Sequence, residues 1–313
     1  MTSPVMQQLT TVDPEASRPL SLRTPVPGAA SLAVREQLER PRRAARVIAV
    51  FPSAVYLQFK NGGAPNVLAL VSSDAVRPPN AVVVPAAARQ QPFAGVREGE
   101  DAWIGDGCAE TGQLRVKVRR WWDPSPVLGP VSLARLHHGA VVLEAGLDAS
   151  HCGLAGHPGP RVLAERCAAG DLAHAVLAVE RIVGLGPGLT PSGDDIIAGI
   201  LLALRLLGGA VHGGDRAVWL ADWLGAAVTA DAETRTTSLS ASLLHCAAAG
   251  QAGAEVAAVL RGVAGQEPLK PAVRRLLNAG HTSGSDLTWG LLAGYRATFA
   301  LSSAATQARR ATA

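Results

Sequence analysis

Gly184-Leu185-Gly186-Pro187-Gly188-Leu189-Thr190-Pro191-Ser192-Gly193-Asp194-Asp195, followed by the apolar run Ile196 to Leu207, decides how the chain is read. Four glycines and two prolines within residues 184–193 exclude a helix interior or a central strand. Ser192, Asp194 and Asp195 then supply first-turn chemistry where helical propensity resumes. The stretch predicts a tight, preformed loop feeding the N-terminus of a buried helix. Such a terminus carries unpaired N–H groups and the positive end of the helix dipole, which suits an anion.

An echo lies further along. Ser192-Gly-Asp-Asp195-Ile-Ile-Ala-Gly199-Ile-Leu and Ser283-Gly-Ser-Asp286-Leu-Thr-Trp-Gly290-Leu-Leu share the pattern S-G-x-D-x-x-x-G-x-L. Gly199 and Gly290 each cost helix stability, and a glycine inside a helix usually marks close backbone approach. The repeat predicts two similar helix starts facing one another across one site; the alternative is chance similarity between two capped helices, where Ser, Gly and Asp are common.

These residues resemble the signature of the AllH family. Two further segments carry the resemblance: Thr236-Thr237-Ser238-Leu239-Ser240-Ala-Ser-Leu-Leu, and Gly280-His281-Thr282-Ser283-Gly284-Ser285-Asp286-Leu287. The resemblance spans most of the chain from about Arg46 to Ala300, with its specific motifs in the C-terminal half. The family takes its name from a subunit of oxamate carbamoyltransferase, an enzyme of anaerobic allantoin breakdown. That enzyme splits oxalurate with phosphate into oxamate and carbamoyl phosphate. The resemblance implies a role in ureide and nitrogen metabolism, a small carboxylate or phosphate substrate, and partner subunits in a hetero-oligomer.

At 313 residues the chain holds one large or two ordinary domains, and 48% apolar residues suffice for a core. Few aromatics and many Ala and Gly favour close helix packing. Lys+Arg 29 against Asp+Glu 25 leaves a net charge of only +4, with local excess at Arg40 to Arg46 and Arg115 to Arg120. No basic, aromatic-interleaved footprint marks nucleic-acid binding. Arg115-Val-Lys-Val-Arg alternates as an exposed strand face does.

The four cysteines, Cys108, Cys152, Cys167 and Cys246, form no C-x-x-C pair and suit free thiols in a reducing cytosol. His151, Cys152 and His157 match no standard zinc spacing. The N-terminus lacks a signal-peptide core, and the longest apolar run is far short of the roughly 20 residues that span a bilayer. A cytoplasmic location away from membranes is expected.

The chain reads as an α+β protein. Residues 1–28 are expected as a disordered tail, 29–128 as a β-rich domain, 129–302 as an Ala/Gly-rich helical domain, and 303–313 as a second tail. Strands are predicted over Arg46 to Phe51, Ala54 to Phe59, Val67 to Val71, Ala81 to Val84, Ala102 to Ile104 and Leu114 to Trp121. A short helix is predicted within Ser31 to Arg40. Asn61-Gly62-Gly63, Asp106-Gly107 and Thr111-Gly112 read as turns. Leu172, Val176, Val179 and Val183 recur at helical spacing. Trp121 and Trp122 serve the core or anchor the β-rich part to the next domain.

The signature loop is neither a P-loop nor a dinucleotide fingerprint: no Gly-Lys-Ser/Thr follows, a helical pattern precedes it, and Pro187 removes an N–H. Asp194 and Asp195 admit three readings. One carboxylate caps its helix, ligates a Mg²⁺ that bridges phosphate, or acts as a base or ligand acceptor. Asp195 is favoured as site-facing, because the echo keeps it as Asp286 while position 194 becomes Ser285. His281 is either a group that protonates a leaving group or binds phosphate, or a histidine bonded within its loop. Asp195, Asp286 and His281 are thus the candidate catalytic groups. Gly186, Gly188, Thr190, Ser192, Gly193, Asp194, Arg235, Thr236, Thr237, Ser240, Ser283 and Gly284 are the candidate binding residues. Capping alone also accounts for Thr236, Thr237 and Ser240, and solvent exposure for Arg235. No dedicated metal site or cofactor motif is present; one of these carboxylates could hold a Mg²⁺. The main reading is a carbamoyltransferase-type subunit. The alternatives are a non-catalytic anion-binding or structural subunit, and a stand-alone hydrolase or lyase of a small carboxylic acid.

Overall fold

The computed structural model describes residues 24–59, 63–112 and 114–311. Eight strands come first: β1 Val26–Ser31, β2 Arg43–Phe51, β3 Ala54–Phe59, β4 Val67–Val71, β5 Ala81–Val83, β6 Asp101–Gly105, β7 Cys108–Thr111 and β8 Leu114–Trp122. They close into a barrel in the order β1-β5-β4-β3-β2-β6-β7-β8. Closure comes from β1, which pairs parallel with β8 and antiparallel with β5. A closed barrel leaves no strand edge to aggregate. Alternation along the strands sends Val47, Leu57, Leu68, Leu70, Val82, Ile104 and Val116 into one buried cluster. The β6–β7 hairpin turns at Asp106-Gly107, both at positive φ (52° and 71°), as a tight two-residue hairpin requires.

Two strands escape the sequence pattern. Val26–Gly28, expected in the tail, opens β1, and Cys108–Thr111, expected between turns, is β7. Residues 1–23 of the expected tail, and Asn61-Gly62 of the expected turn, lie outside the described residues. The short helix α1, Arg35–Glu39, follows a single turn at Leu32–Val34 and sits inside the predicted segment. Trp121 packs on the barrel core with Arg35 over its ring, and Trp122 packs beside Ala54, Ala69, Val71 and Ala81.

Helices fill the remainder: α2 Leu133–Gly146, α3 Pro158–Ala169, α4 Leu172–Glu180, α5 Ser192–Ala210, α6 Asp215–Thr229, α7 Ala232–Arg235, α8 Ser238–Ala248, α9 Ala254–Ala264, α10 Leu269–Leu277 and α11 Ser283–Ala311. The last runs through 303–311, where a tail was expected. Helix α5 is buried almost all round, as its unbroken apolar sequence dictates.

The two helices of the echo lie against one another. A Cβ added at Gly199 would stand 2.5 Å from the Leu287 carbonyl oxygen, and one at Gly290 would collide with the carbonyl oxygen of Ile196. Gly193 and Gly284 repeat the theme six residues earlier. A Cβ on the first would strike the Ile182 carbonyl oxygen, and on the second the Leu276 carbonyl oxygen. Their N–H groups also match, Gly193 donating to Leu185 O and Gly284 to Ala279 O, both at 2.9 Å. The segment from α4 into α5 and the segment from α10 into α11 are therefore packed alike.

Gly199→Ala and Gly290→Ala should each lower stability by about 1–3 kcal/mol, the usual cost of overpacking. Gly209→Ala, also in α5 but with open space around a new Cβ, should raise it by about 0.5–1 kcal/mol. Urea unfolding midpoints of the three variants measure both signs.

Candidate functional site

The starts of α5 and α11 meet. Thr190 Oγ1, just before α5, lies 2.9 Å from Ser283 Oγ, the first residue of α11. The glycine-rich loop reaches this point through left-handed turns at Gly184 (φ 71°), Gly186 (φ 122°) and Gly188 (φ 90°). Gly186 comes up against the backbone N of Ser192, and nothing lies within 4 Å of a Cβ at Gly188, on the exposed tip. Pro191 is the N-cap of α5 and gives it no side-chain cap.

Asp194 faces inward and is fully engaged. Its Oδ1 accepts from Gly184 N at 2.8 Å, while its Oδ2 accepts from Ser240 Oγ at 2.6 Å and from the Thr236 hydroxyl. It braces the signature loop against α8 rather than capping its own helix. Thr237 caps α8, accepting from Ser240 N at 3.0 Å, and donates its hydroxyl to Leu189 O at 2.5 Å. Arg235 donates to Glu180 O at 2.7 Å and pairs with Asp231 at 3.6 Å. Thr236, Thr237 and Ser240 thus donate their hydroxyl protons, and Arg235 its Nη2–H, within the protein.

The other side of α8 holds the barrel. Ser238 Oγ accepts from Gln58 Nε2 at 2.7 Å. Ser242 Oγ accepts from Asn66 N at 3.1 Å and Val67 N at 3.0 Å, and donates to Asn66 Oδ1 at 2.8 Å. Residues two apart on a helix diverge by about 200°. Ser240 therefore ties α8 to α5 on one face while Ser238 and Ser242 tie it to the barrel on the opposite one, with Thr236 joining Ser240 from the residues just before the helix.

Asp195 and Asp286 form the buried centre. Asp195 is 6% exposed and Asp286 0%. Burial raises the pKa of Asp195 well above the ordinary carboxylate value, and the negative charges of Asp286 and Asp194 add to the rise. Burial likewise raises Asp286. The hydroxyls are exchanged across the pair. Ser283 of α11 leans on Asp195 of α5, and Ser192 of α5 leans on Asp286 of α11, each favouring the ionised form. Oδ2 of both aspartates has no formed hydrogen bond among the described residues.

Gly153, which the sequence did not single out, completes the centre. Its N–H donates to Asp286 Oδ1 at 2.9 Å, and a side chain there would run into Ser192 Oγ. Neighbouring Cys152 is buried, 3.7 Å from Ser285 O, and its thiol is pushed up to about 11 by burial, then by Asp286 and Asp148. Its only sequence signal is a glycine in a Gly/Pro-rich loop, shared by many turns.

Other candidates lie apart from this pair. His281 is exposed at the loop before α11. His151 pairs with Asp148 at 2.9 Å, and His157 caps α3 by accepting from Gly159 N at 3.1 Å. All four cysteines are buried and free. Among the described residues no three His, Cys, Asp or Glu side chains gather to hold a metal ion. With Asp194 occupied, Asp195 and Asp286 are the carboxylates left for a cation. No helix of the described residues is long and apolar enough to cross a membrane.

A closed eight-stranded barrel joined to a helical part, with two glycine-crossed helices starting at one buried carboxyl pair, defines an α+β protein with a polar centre at paired helix N-termini. Residues 182–295, from the end of α4 into α11, match the sequence model of the family described as oxamate carbamoyltransferase subunit AllH, which bears out the resemblance in the signature. No curated protein and no solved structure matches the chain.

Asp194→Ala would leave the Gly184 N–H and two hydroxyls without their acceptor. It should cost about 3 kcal/mol of stability, the scale of lost charge-assisted hydrogen bonds. Ser240→Ala should cost less, roughly 1 kcal/mol. Thermal melting and urea unfolding of the two variants read this ordering.

Proposed function

We propose that the chain is a subunit of an oxamate carbamoyltransferase-like enzyme, working with other chains in the cytoplasm on oxalurate, phosphate, oxamate and carbamoyl phosphate. The observation that carries this reading is the meeting of Ser192 and Asp195 with Ser283 and Asp286, inside the stretch that matches the AllH model. Two helix N-termini direct positive dipole ends at this point and favour an anionic group. Carbamoyl and oxamate amide groups find hydrogen-bond partners in the unpartnered Oδ2 atoms of Asp195 and Asp286. Phosphorolysis builds negative charge beside the carbamoyl carbon, which prearranged N–H groups and dipoles stabilise. Asp286 has no exposed surface, so ligand entry requires Gly153 or the Pro187–Thr190 loop to move. His281, exposed beside α11, is available to a leaving group once that loop opens.

A second reading, a non-catalytic structural subunit, draws on the inward use of Asp194, Thr236, Thr237 and Ser240. Those residues hold α5, α8 and the barrel together whether or not chemistry takes place nearby.

Co-expression with the neighbouring genes, followed by an oxalurate phosphorolysis assay with and without this chain, tests the proposal. Activity should require the chain, and Asp286→Asn should lower turnover on the order of a hundredfold, the scale of lost acid–base or acceptor function, while the complex stays assembled. Full turnover with Asp195→Asn and Asp286→Asn would leave the structural reading in its place.

A further inference from the structure

The two halves of the buried pair are built alike but are not equivalent. Asp286 has a fixed backbone donor, Gly153 N at 2.9 Å from Oδ1, besides the Ser192 and Thr282 hydroxyls. Among the described residues, Asp195 is met by the hydroxyls of Ser283 and Thr190, which already share a 2.9 Å hydrogen bond. A hydroxyl turns to donate or to accept, whereas a backbone N–H only donates. A neutral carboxyl is therefore accommodated at Asp195 without loss, and an ionised one is demanded at Asp286. Asp194 widens the difference. It sits beside Asp195 in α5, while the matching position next to Asp286 is the neutral Ser285.

Two adjacent carboxylates with almost no exposed surface repel one another in a medium of low polarity, and one of them takes up a proton. We propose that Asp195 holds this proton at neutral pH and acts as a hydrogen-bond donor, with Asp286 the ionised acceptor beside it. The charged or titratable groups facing Asp195 are Asp194 from its own helix and Asp286 from α11, and those facing Asp286 include Cys152 from the turn before α3. No cation is among these. Environments that separate the two pKa values also assign the roles of acid and base. An acid beside a carboxylate matches one edge of a primary amide, the carbonyl oxygen towards Asp195 and an N–H towards Asp286. That orientation rests on the function proposed above; the protonation state does not.

The sign of the pH dependence follows. A carboxyl whose pKa is higher in the folded chain holds its proton where the unfolded chain has released it. Its stabilising contribution is complete below the ordinary carboxylate pKa and is lost as pH rises towards the raised value.

Infrared spectra of the whole chain at pH 7 test the assignment through the carbonyl band of a protonated carboxyl. The band should be present in the wild type, absent in Asp195→Asn, and retained in Glu255→Gln, a control at another carboxyl that burial pushes up. Stability of the wild type should fall as pH rises above the ordinary carboxylate range, and Asp195→Asn should flatten that fall. A wild type without the band overturns the proposal with no variant needed. So does a band that survives Asp195→Asn and disappears with Asp286→Asn. Because the spectrum is read without turnover, a failed phosphorolysis assay leaves the protonation result standing, and a failed spectrum leaves the assay intact.

Discussion

The crossing of α5 and α11 at Gly199 and Gly290 is the constraint on which the rest depends. A Cβ at Gly290 would come within 3.1 Å of Gly199 Cα and collide with the Ile196 carbonyl oxygen. Only glycine lets two helix backbones come that near. At this separation the first turns of the two helices also meet, which brings Ser192 to Asp286 and Ser283 to Asp195. A few ångströms more, and neither aspartate would meet the serine of the opposite helix. Two glycines that weaken their helices as isolated segments are thus offset by a crossing that positions four polar side chains.

Burying negative charge beside two helix starts is a balance of opposing terms. Desolvation disfavours ionisation of both aspartates and leads the causes at each. The N-terminal dipoles and the serine hydroxyls work the other way. Asp194, only one residue from Asp195, resolves the same conflict differently. It collects one backbone N–H and two hydroxyls and becomes a structural tie. Adjacent carboxylates on one helix thereby serve separate ends, because successive side chains diverge by about 100°.

Much of this was legible in the residues. The glycine-rich loop, the buried helix after it, the echo at Ser283 and the β-rich first part are all carried by composition and period. The echo was readable because Gly199 and Gly290 stand in apolar helices, where only packing explains them. β1 was missed because Val26–Ser31 holds proline, glycine and two alanines and borrows its stability from neighbours on both sides. β7 was missed because its four residues lie between two turn signals. The hydroxyls of Thr236 and Ser240 read as ligand donors because a sequence shows their spacing but not what stands opposite. Gly153 left only a weak signal, a glycine among other loop glycines, since its contribution is a backbone N–H that every non-proline residue possesses.

Helix α8 has a consequence of another kind. Ser240 and Ser242 lie about 3 Å apart along its axis, one fastened to Asp194 at the mouth of α5, the other to Asn66 and Val67 at the entrance of β4. No loop stands between these two fastenings to absorb displacement. The helix is a tie-rod, and a load on the β3–β4 wall arrives at the signature loop undiminished. A neighbouring chain gripping the barrel would therefore have a mechanical handle on the spacing of the two helix starts, without touching either one.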